Sequence, residues 1–224
     1  MAMNEITTKA LQIGWHHPGP GGMSPTNLEA LQALCGGAVT DGGQVADVGC
    51  WSGLSSVVLG LLGKQKNFKV KAIDWFKGSP KTGLEAAAKE IDVYEVCKAN
   101  MRYFELLDVV EIIPEDSVTA ASKFSDASFD FVFIDGNHQY LQVLRDIDAW
   151  WPKVKSGGVL SGHDCEFIIP FNNTREVNIF ASGPTNPWND VDQLVAHLGV
   201  CRAVSERFGK QTKIEDGLIW WVQK

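Results

Sequence analysis

No Cys-x-x-Cys pair occurs in this sequence. Its five cysteines (Cys35, Cys50, Cys97, Cys165 and Cys201) are scattered and odd in number. That pattern speaks against a zinc ribbon or a disulfide framework and for reduced thiols in a cytoplasmic protein. No stretch approaches the roughly 18 apolar residues of a membrane span. The N-terminus holds Glu5 and Lys9 and lacks the apolar core of a secretory signal. Positive charge is also in short supply: 20 Lys and Arg stand against 27 Asp and Glu, a formal net charge of −7, which argues against a general nucleic-acid footprint. The Gly-x-Gly-x-x-Gly fingerprint of a dinucleotide site is missing too.

What is present is an ordinary globular composition, 45% hydrophobic and 21% charged over 224 residues, enough for one α/β domain spanning residues 1–224. The most informative stretch is Val45-Ala46-Asp47-Val48-Gly49-Cys50-Trp51-Ser52-Gly53, followed by the helix-like Leu54-Ser55-Ser56-Val57-Val58-Leu59. An apolar strand ends in a glycine turn that opens a helix, where backbone can approach a ligand. The glycines are spaced Gly-x-x-x-Gly behind an acid. An anionic turn of this kind suits a ligand with an ammonium or sulfonium group.

Alternation and apolar runs predict further strands at 68–73, 109–113, 129–134 and 157–162. The glycine- and proline-rich residues 1–23 read as an irregular N-terminal cap segment. Ser24-Pro25 starts a helix carrying Leu28, Leu31 and Leu34. Helical patterns cover 54–63, 83–106 (with an interruption) and 139–152, and a helix is expected at 189–198. Residues 200–205 and 218–223 read as closing strands joined by a hairpin, with Trp220 and Trp221 in the core. The long segment 165–188 breaks the rhythm and reads as a substrate-side loop, with Phe167, Ile168, Ile169, Phe171, Phe180 and Trp188 able to form an apolar wall. Strands alternating with helices imply a Rossmann-like, mostly parallel seven-stranded sheet with helices on both faces. Ligands then sit at the carboxyl ends of the strands. Asp47, Asp74, Asp116 and Asp135 all fall there.

With these acids in place, the chain resembles the class I S-adenosylmethionine-dependent methyltransferases. Ile134-Asp135-Gly136-Asn137-His138, then Asp146, Trp150 and Gly157-Gly158-Val159-Leu160-Ser161-Gly162-His163-Asp164, resemble the small-molecule O-methyltransferase branch of macrocin- and catechol-type enzymes. The resemblance implies that Asp47, Gly49 and Gly53 lie along the methionine end of the cofactor. It implies that Asp74 accepts hydrogen bonds from the ribose hydroxyls, and that Asp116 and Ser117 border the adenine, with Glu115 a competitor for that place. Asp135 then stands near the reacting methyl group. Met23 and Ser24 resemble the segment that closes over the methionine carboxylate, although Met23 is equally a core residue by its character.

Methyl transfer to an alcohol needs positioning and removal of a proton by a base, a metal or both. His138, three residues past Asp135, is the expected base, since imidazole titrates near neutrality; capping of the next helix is the other reading of it. The family's divalent cation, magnesium or manganese, would be held by Asp135 and Asp164, with His163 a third donor. His163 and Cys165 stand where those families carry a carboxylate or an amide. Magnesium prefers oxygen ligands, so His163 favours a softer ion or a purely structural turn. His16 and His17 read as surface or lid residues, and His197 as a surface or interface residue. The expected partner is a small-molecule acceptor, with no nucleic acid and no membrane, and homo-oligomerisation is compatible with this. The alternatives are an NAD-dependent oxidoreductase and a catalytically silent cofactor-binding domain of the same fold.

Overall fold

The computed structural model describes residues 3–13, 22–169 and 197–224. Among them, seven strands form one sheet: β1 (Gln44–Val48), β2 (Lys69–Asp74), β3 (Val110–Pro114), β4 (Phe129–Ile134), β5 (Val154–Gly162), β6 (Lys213–Glu215) and β7 (Ile219–Gln223). Their order is β3-β2-β1-β4-β5-β7-β6. The first five run parallel, and β7 pairs antiparallel with both β5 and β6. The fold is Rossmann-like α/β. Strand order reverses between β1 and β4, and at such a switch point the connections leave in opposite directions and open a crevice at the carboxyl ends.

The central strand β4 buries apolar side chains on both faces. In β4, Phe131 and Phe133 point into one core with Leu28, Leu31, Val57 and Met101. Val132 and Ile134 alternate into the other with Ile147, Trp150, Leu160 and Trp220. Helices α1 (Glu5–Ala10), α2 (Pro25–Ala38), α3 (Leu54–Lys66) and α5 (Val93–Tyr103) contribute to the first core. The second takes residues of α6 (Ser117–Ala121), α7 (Tyr140–Trp150) and α8 (Leu198–Phe208). Trp220 is fully buried, while Trp221 only packs against the edge of the first core.

Two local readings change, at the N-terminal segment and at 200–205, and the interruption expected within 83–106 is located. The cap segment contains α1, held by the Asn4 side chain, which accepts from the Thr7 amide, and by the Lys9–Glu5 ion pair at 2.7 Å. The pattern over 83–106 divides into α4 (Gly83–Glu90) and α5, because Asp92 caps a new helix by accepting from the Glu95 amide. Residues 200–205 belong to α8, not to a strand. Val200, Cys201, Ala203 and Val204 are its buried side, and the closing hairpin is β6–β7. The expected helix at 189–198 lies almost wholly outside the described residues, as do His16, His17, Phe171, Phe180 and Trp188.

Candidate functional site

The turn after β1 is built from glycines in the left-handed region. Gly49 has φ 92°, and a Cβ there would stand 2.3 Å from the Asp135 carbonyl oxygen. Gly53 has φ 95° and caps α3; a Cβ there would meet the Met101 methyl at 2.6 Å. Neither position accepts a side chain without displacing its neighbours. Asp47 is completely buried. Its Oδ2 accepts from Ser55 Oγ at 2.8 Å and from Ser56 Oγ, so the carboxyl ties β1 to the first turn of α3. Burial pushes its pKa up to about 7, against the lowering effect of the two serine hydroxyls.

A cleft of about 280 Å³ opens at the strand ends. Its walls are Val48, Gly49 and Trp51 after β1, Asp74, Trp75 and Gly78–Pro80 after β2, Glu115–Ser117 after β3, Asp135–Asn137 and Gln139 after β4, and Gln142 and Asp146 of α7. Asp74 holds the cleft's shape: Oδ2 accepts from the Trp51 amide at 2.9 Å and Oδ1 from the Phe76 amide at 2.7 Å. Each oxygen retains a second lone pair for a ligand. Burial raises the Asp74 pKa, with the amides opposing it. Asp116 caps α6 through the Thr119 amide at 3.1 Å. Ser117 Oγ accepts from Trp150 Nε1 at 2.9 Å. Glu115 is paired with Lys123. Asp146 is buried beside the cleft and accepts from Gln142 Nε2 at 3.0 Å. Burial raises its pKa to about 7 as well.

Next to the cleft, after β4 and β5, lies a cluster of imidazoles and carboxylates. Asp164, at φ 61°, is its centre. His138 Nε2 is 3.3 Å from Asp164 Oδ2 and 3.6 Å from Asp135 Oδ1. His163 Nδ1 is 3.1 Å from Asp164 Oδ1 and 3.9 Å from Asp135 Oδ1. His197 Nδ1 is 3.5 Å from Asp164 Oδ1 and 2.7 Å from Glu166 Oε1, and its ring meets that of His138 edge-on at 5.1 Å. Burial alone would raise the Asp164 pKa. The His163 hydrogen bond and the neighbouring imidazole charges outweigh it and hold this carboxyl well below the usual range. Burial works to lower the His163 pKa, but Asp135 and Asp164 raise it overall.

The expected site residues thus fall into three places. Gly49, Asp74, Asp116, Ser117 and Asp135 line the cleft. Asp135, His138, His163 and Asp164 meet in the cluster. Asp47, Gly53 and Met23 do not line the cleft: Asp47 and Gly53 build the turn behind it, and Met23 is buried in the first core. His197, read from the sequence as a surface or interface residue, belongs to the cluster. Asn27 and Glu166 carried no signal in the sequence beyond their polarity, because Asp216, His163 and His197 lie far along the chain from them; Asp146 stood in the motif, without a place at the cleft. Among the described residues, two donor sets come close enough to hold an ion: Asp135, His163 and Asp164, and His138, Asp164 and His197.

A family model described as a methyltransferase domain matches residues 46–165. No curated protein sequence matches the chain. Solved structures do. The SAH-bound Podospora anserina methyltransferase PaMTH1 is 13% identical, with a TM-score of 0.61 over 99% of this chain and 88% of that one. Cofactor-bound Rv0187 from MTB is 15% identical, with a TM-score of 0.59 over 98% and 89%. An O-methyltransferase family protein from Burkholderia thailandensis is 12% identical, with a TM-score of 0.55 over 88% of this chain and 55% of that one. At these identities the likeness to the structures is one of fold. The oxidoreductase alternative gains no support from these matches.

Proposed function

The chain belongs to the methyltransferase-domain family and is an S-adenosylmethionine-dependent methyltransferase, and from that premise we propose that the acceptor is a hydroxyl group of a small molecule. The observation that carries this is the double position of Asp135. It lines the cleft and also lies 3.6 Å from His138 in the cluster. A nucleoside in the cleft and a proton acceptor in the cluster would therefore share one edge. An acceptor as weakly acidic as an alcohol is the class that needs such a neighbour.

The cleft residues fit the nucleoside. Asp74 has lone pairs left for two ribose hydroxyls, Asp116 and Ser117 offer polar atoms for a purine edge, and Gly49 leaves backbone bare. When bound, the cofactor supplies an electrophilic methyl group on a positively charged sulfur. The protein's share is to align the acceptor oxygen with that methyl, an effect worth up to about 7–11 kcal/mol, and to remove the proton. His138 Nε2 accepts it. Loss of that proton would leave the acceptor oxygen free to take the methyl group that the cofactor would supply. Asp164 and Asp135 hold the resulting imidazolium.

Magnesium and manganese favour carboxylate, carbonyl and water ligands. Both donor sets here include at least one imidazole nitrogen, so the cluster does not fit the magnesium-type site of catechol- and macrocin-type enzymes, and no step is drawn through one. The reading is tested by following SAH release with a panel of phenols, sugars and polyketide alcohols. A hydroxyl acceptor should support turnover. Turnover confined to amine or thiol acceptors would overturn the reading.

A further inference from the structure

We propose that Asp146 is a specificity-determining residue for the cofactor's purine: as a neutral carboxylic acid it donates a hydrogen bond to a ring nitrogen of adenine, while Asp116 accepts from the exocyclic amine. It takes this part on the reading that the cleft holds the nucleoside.

Asp146 stands on α7 in the wall of the cleft and is only 2% exposed. Its Oδ1 accepts from Gln142 Nε2 at 3.0 Å, one turn earlier on the same helix. The Ser117 oxygen accepts from Trp150 Nε1 at 2.9 Å. An indole nitrogen can only donate, so the Ser117 hydrogen is left for the Asp146 carboxyl, to which this hydroxyl is hydrogen-bonded. Oδ2 lies on the side of Gly136, another wall of the cleft. A Cβ at Gly136 would stand 3.8 Å from that oxygen, and the bare glycine leaves it uncovered. Asp116, one residue before Ser117, is exposed. Its Oδ1 is taken by the Thr119 amide at 3.1 Å and the Thr119 hydroxyl at 3.3 Å, which leaves Oδ2 to accept.

A carboxyl this buried stays ionised only beside a cation. Arg145 on α7 favours the charged form and Asp116 opposes it, but burial outweighs both and pushes the pKa up to about 7. The other walls add carboxyls: Asp74 after β2, Glu115 after β3 and Asp135 after β4. Lys123 is paired with Glu115, and Arg207 of α8 with Asp148. Because an N–H already holds Oδ1, the proton belongs on Oδ2, the oxygen toward Gly136. A buried O–H in the wall of a nucleoside cleft calls for a lone pair that carries no hydrogen, and a purine ring nitrogen is one. Adenine sets such a nitrogen, N7, beside an amine that donates, whereas guanine sets N7 beside a second acceptor, O6. The donor of Asp146 and the acceptor of Asp116 complement adenine. Guanine's O6 would face the Asp116 carboxylate with no hydrogen between them. Binding that uses the Asp146 proton weakens as pH rises past the point where the free protein loses it.

The test is SAH titrated by calorimetry into the full chain at pH 6 and pH 8, in buffers of different ionisation heat. The wild type should bind about 5–10-fold more weakly at pH 8 than at pH 6, and at pH 8 it should take up protons on binding that Asp146→Asn does not. The Asn side chain keeps an acceptor for Gln142 and has a donor that does not titrate, so this variant should hold its pH 6 affinity at pH 8. Asp146→Leu has no donor and should bind about 3–10-fold more weakly than the wild type at pH 6. The 1-, 3- and 7-deaza analogues of SAH each replace one ring nitrogen by C–H. One of them should lose a similar factor with the wild type and nothing further with Asp146→Leu. Parallel pH profiles in the wild type and Asp146→Asn, or undiminished binding of all three analogues, would overturn the proposal. A melting curve shows whether Asp146→Leu folds; if it does not, the Asn profile and the wild-type analogue series decide. Failure of the wild type to bind SAH at either pH would count against the cleft as the nucleoside site, whereas binding with a flat profile would count against Asp146 alone.

Discussion

Asp47 and Asp164 belong to strand ends on either side of β4, yet they are opposites. Asp47 is buried with two serine hydroxyls and, among the described residues, no cation beside it, and its pKa rises to about 7. Asp164 is also buried, but His138, His163 and His197 gather round it and hold it ionised. Asp146, at the cleft, follows Asp47. The same residue type at neighbouring strand ends therefore does two jobs. On the cleft side, carboxyls shape a turn and stay ready to accept hydrogen bonds. On the cluster side, a carboxylate is a fixed charge that orients imidazoles. The difference comes from neighbouring cations and not from burial, which both share.

The largest effects should come from breaking the wall between the two regions. Gly49→Ala would put a Cβ 2.3 Å from the Asp135 carbonyl oxygen at φ 92°. It should destabilise the protein by about 2–5 kcal/mol and abolish SAH binding, as urea unfolding and calorimetry would show. Wild-type stability in that variant would mean that the turn relaxes freely. His138→Gln comes next. It retains a hydrogen-bonding head but cannot take the proton, so turnover should fall by roughly 10²–10⁴-fold with SAH affinity unchanged. A wild-type rate would reduce His138 to a structural role.

On the cleft side, Asp74→Ala removes the acceptor offered to the ribose and strands the Trp51 and Phe76 amides. SAH affinity should drop by ~1.5–3 kcal/mol, read by calorimetry; unchanged affinity would place the ribose elsewhere. The smallest effect is a pH slope. The folded state keeps the Asp146 proton up to about pH 7, whereas the unfolded chain releases it near pH 4. Between those values the folded state binds more protons. The stability from this group is complete below about pH 4 and is lost as pH rises through about 7, at no more than ~1.4 kcal/mol per pH unit. Asp146→Asn lacks the slope, so its melting temperature should gain on the wild type's between pH 5 and pH 8. Parallel curves would contradict the assignment.

Much of this was legible in the chain. The five parallel strands announce themselves as apolar runs or, at 68–73, as alternation, and the acids near their ends mark the ligand side of the sheet. Strand β4 is the clearest case, because Phe129–Ile134 must be apolar on both faces. Helix α8 misled for a physical reason: Val200, Cys201, Ala203 and Val204 are short, partly β-branched and only six residues or fewer from its start, and tertiary packing overrides such local preference. The cluster was half legible. Asp135, His138, His163 and Asp164 follow from strand ends, but nothing local joins His197 to Asp164 or Asn27 to His163, which is 136 residues away. Contacts of that kind exist only once the sheet has brought its loops together.

The account's central claim is that the cleft binds and the cluster reacts. A double-mutant cycle tests it most directly: steady-state kinetics with S-adenosylmethionine and a hydroxyl acceptor for the wild type, Asp74→Asn, His138→Gln and the double variant. The account predicts that Asp74→Asn acts on the cofactor KM, that His138→Gln acts on kcat, and that the two add within about 0.5 kcal/mol. A strong coupling between them, or a loss of cofactor KM in His138→Gln, would contradict the division and make the two regions one.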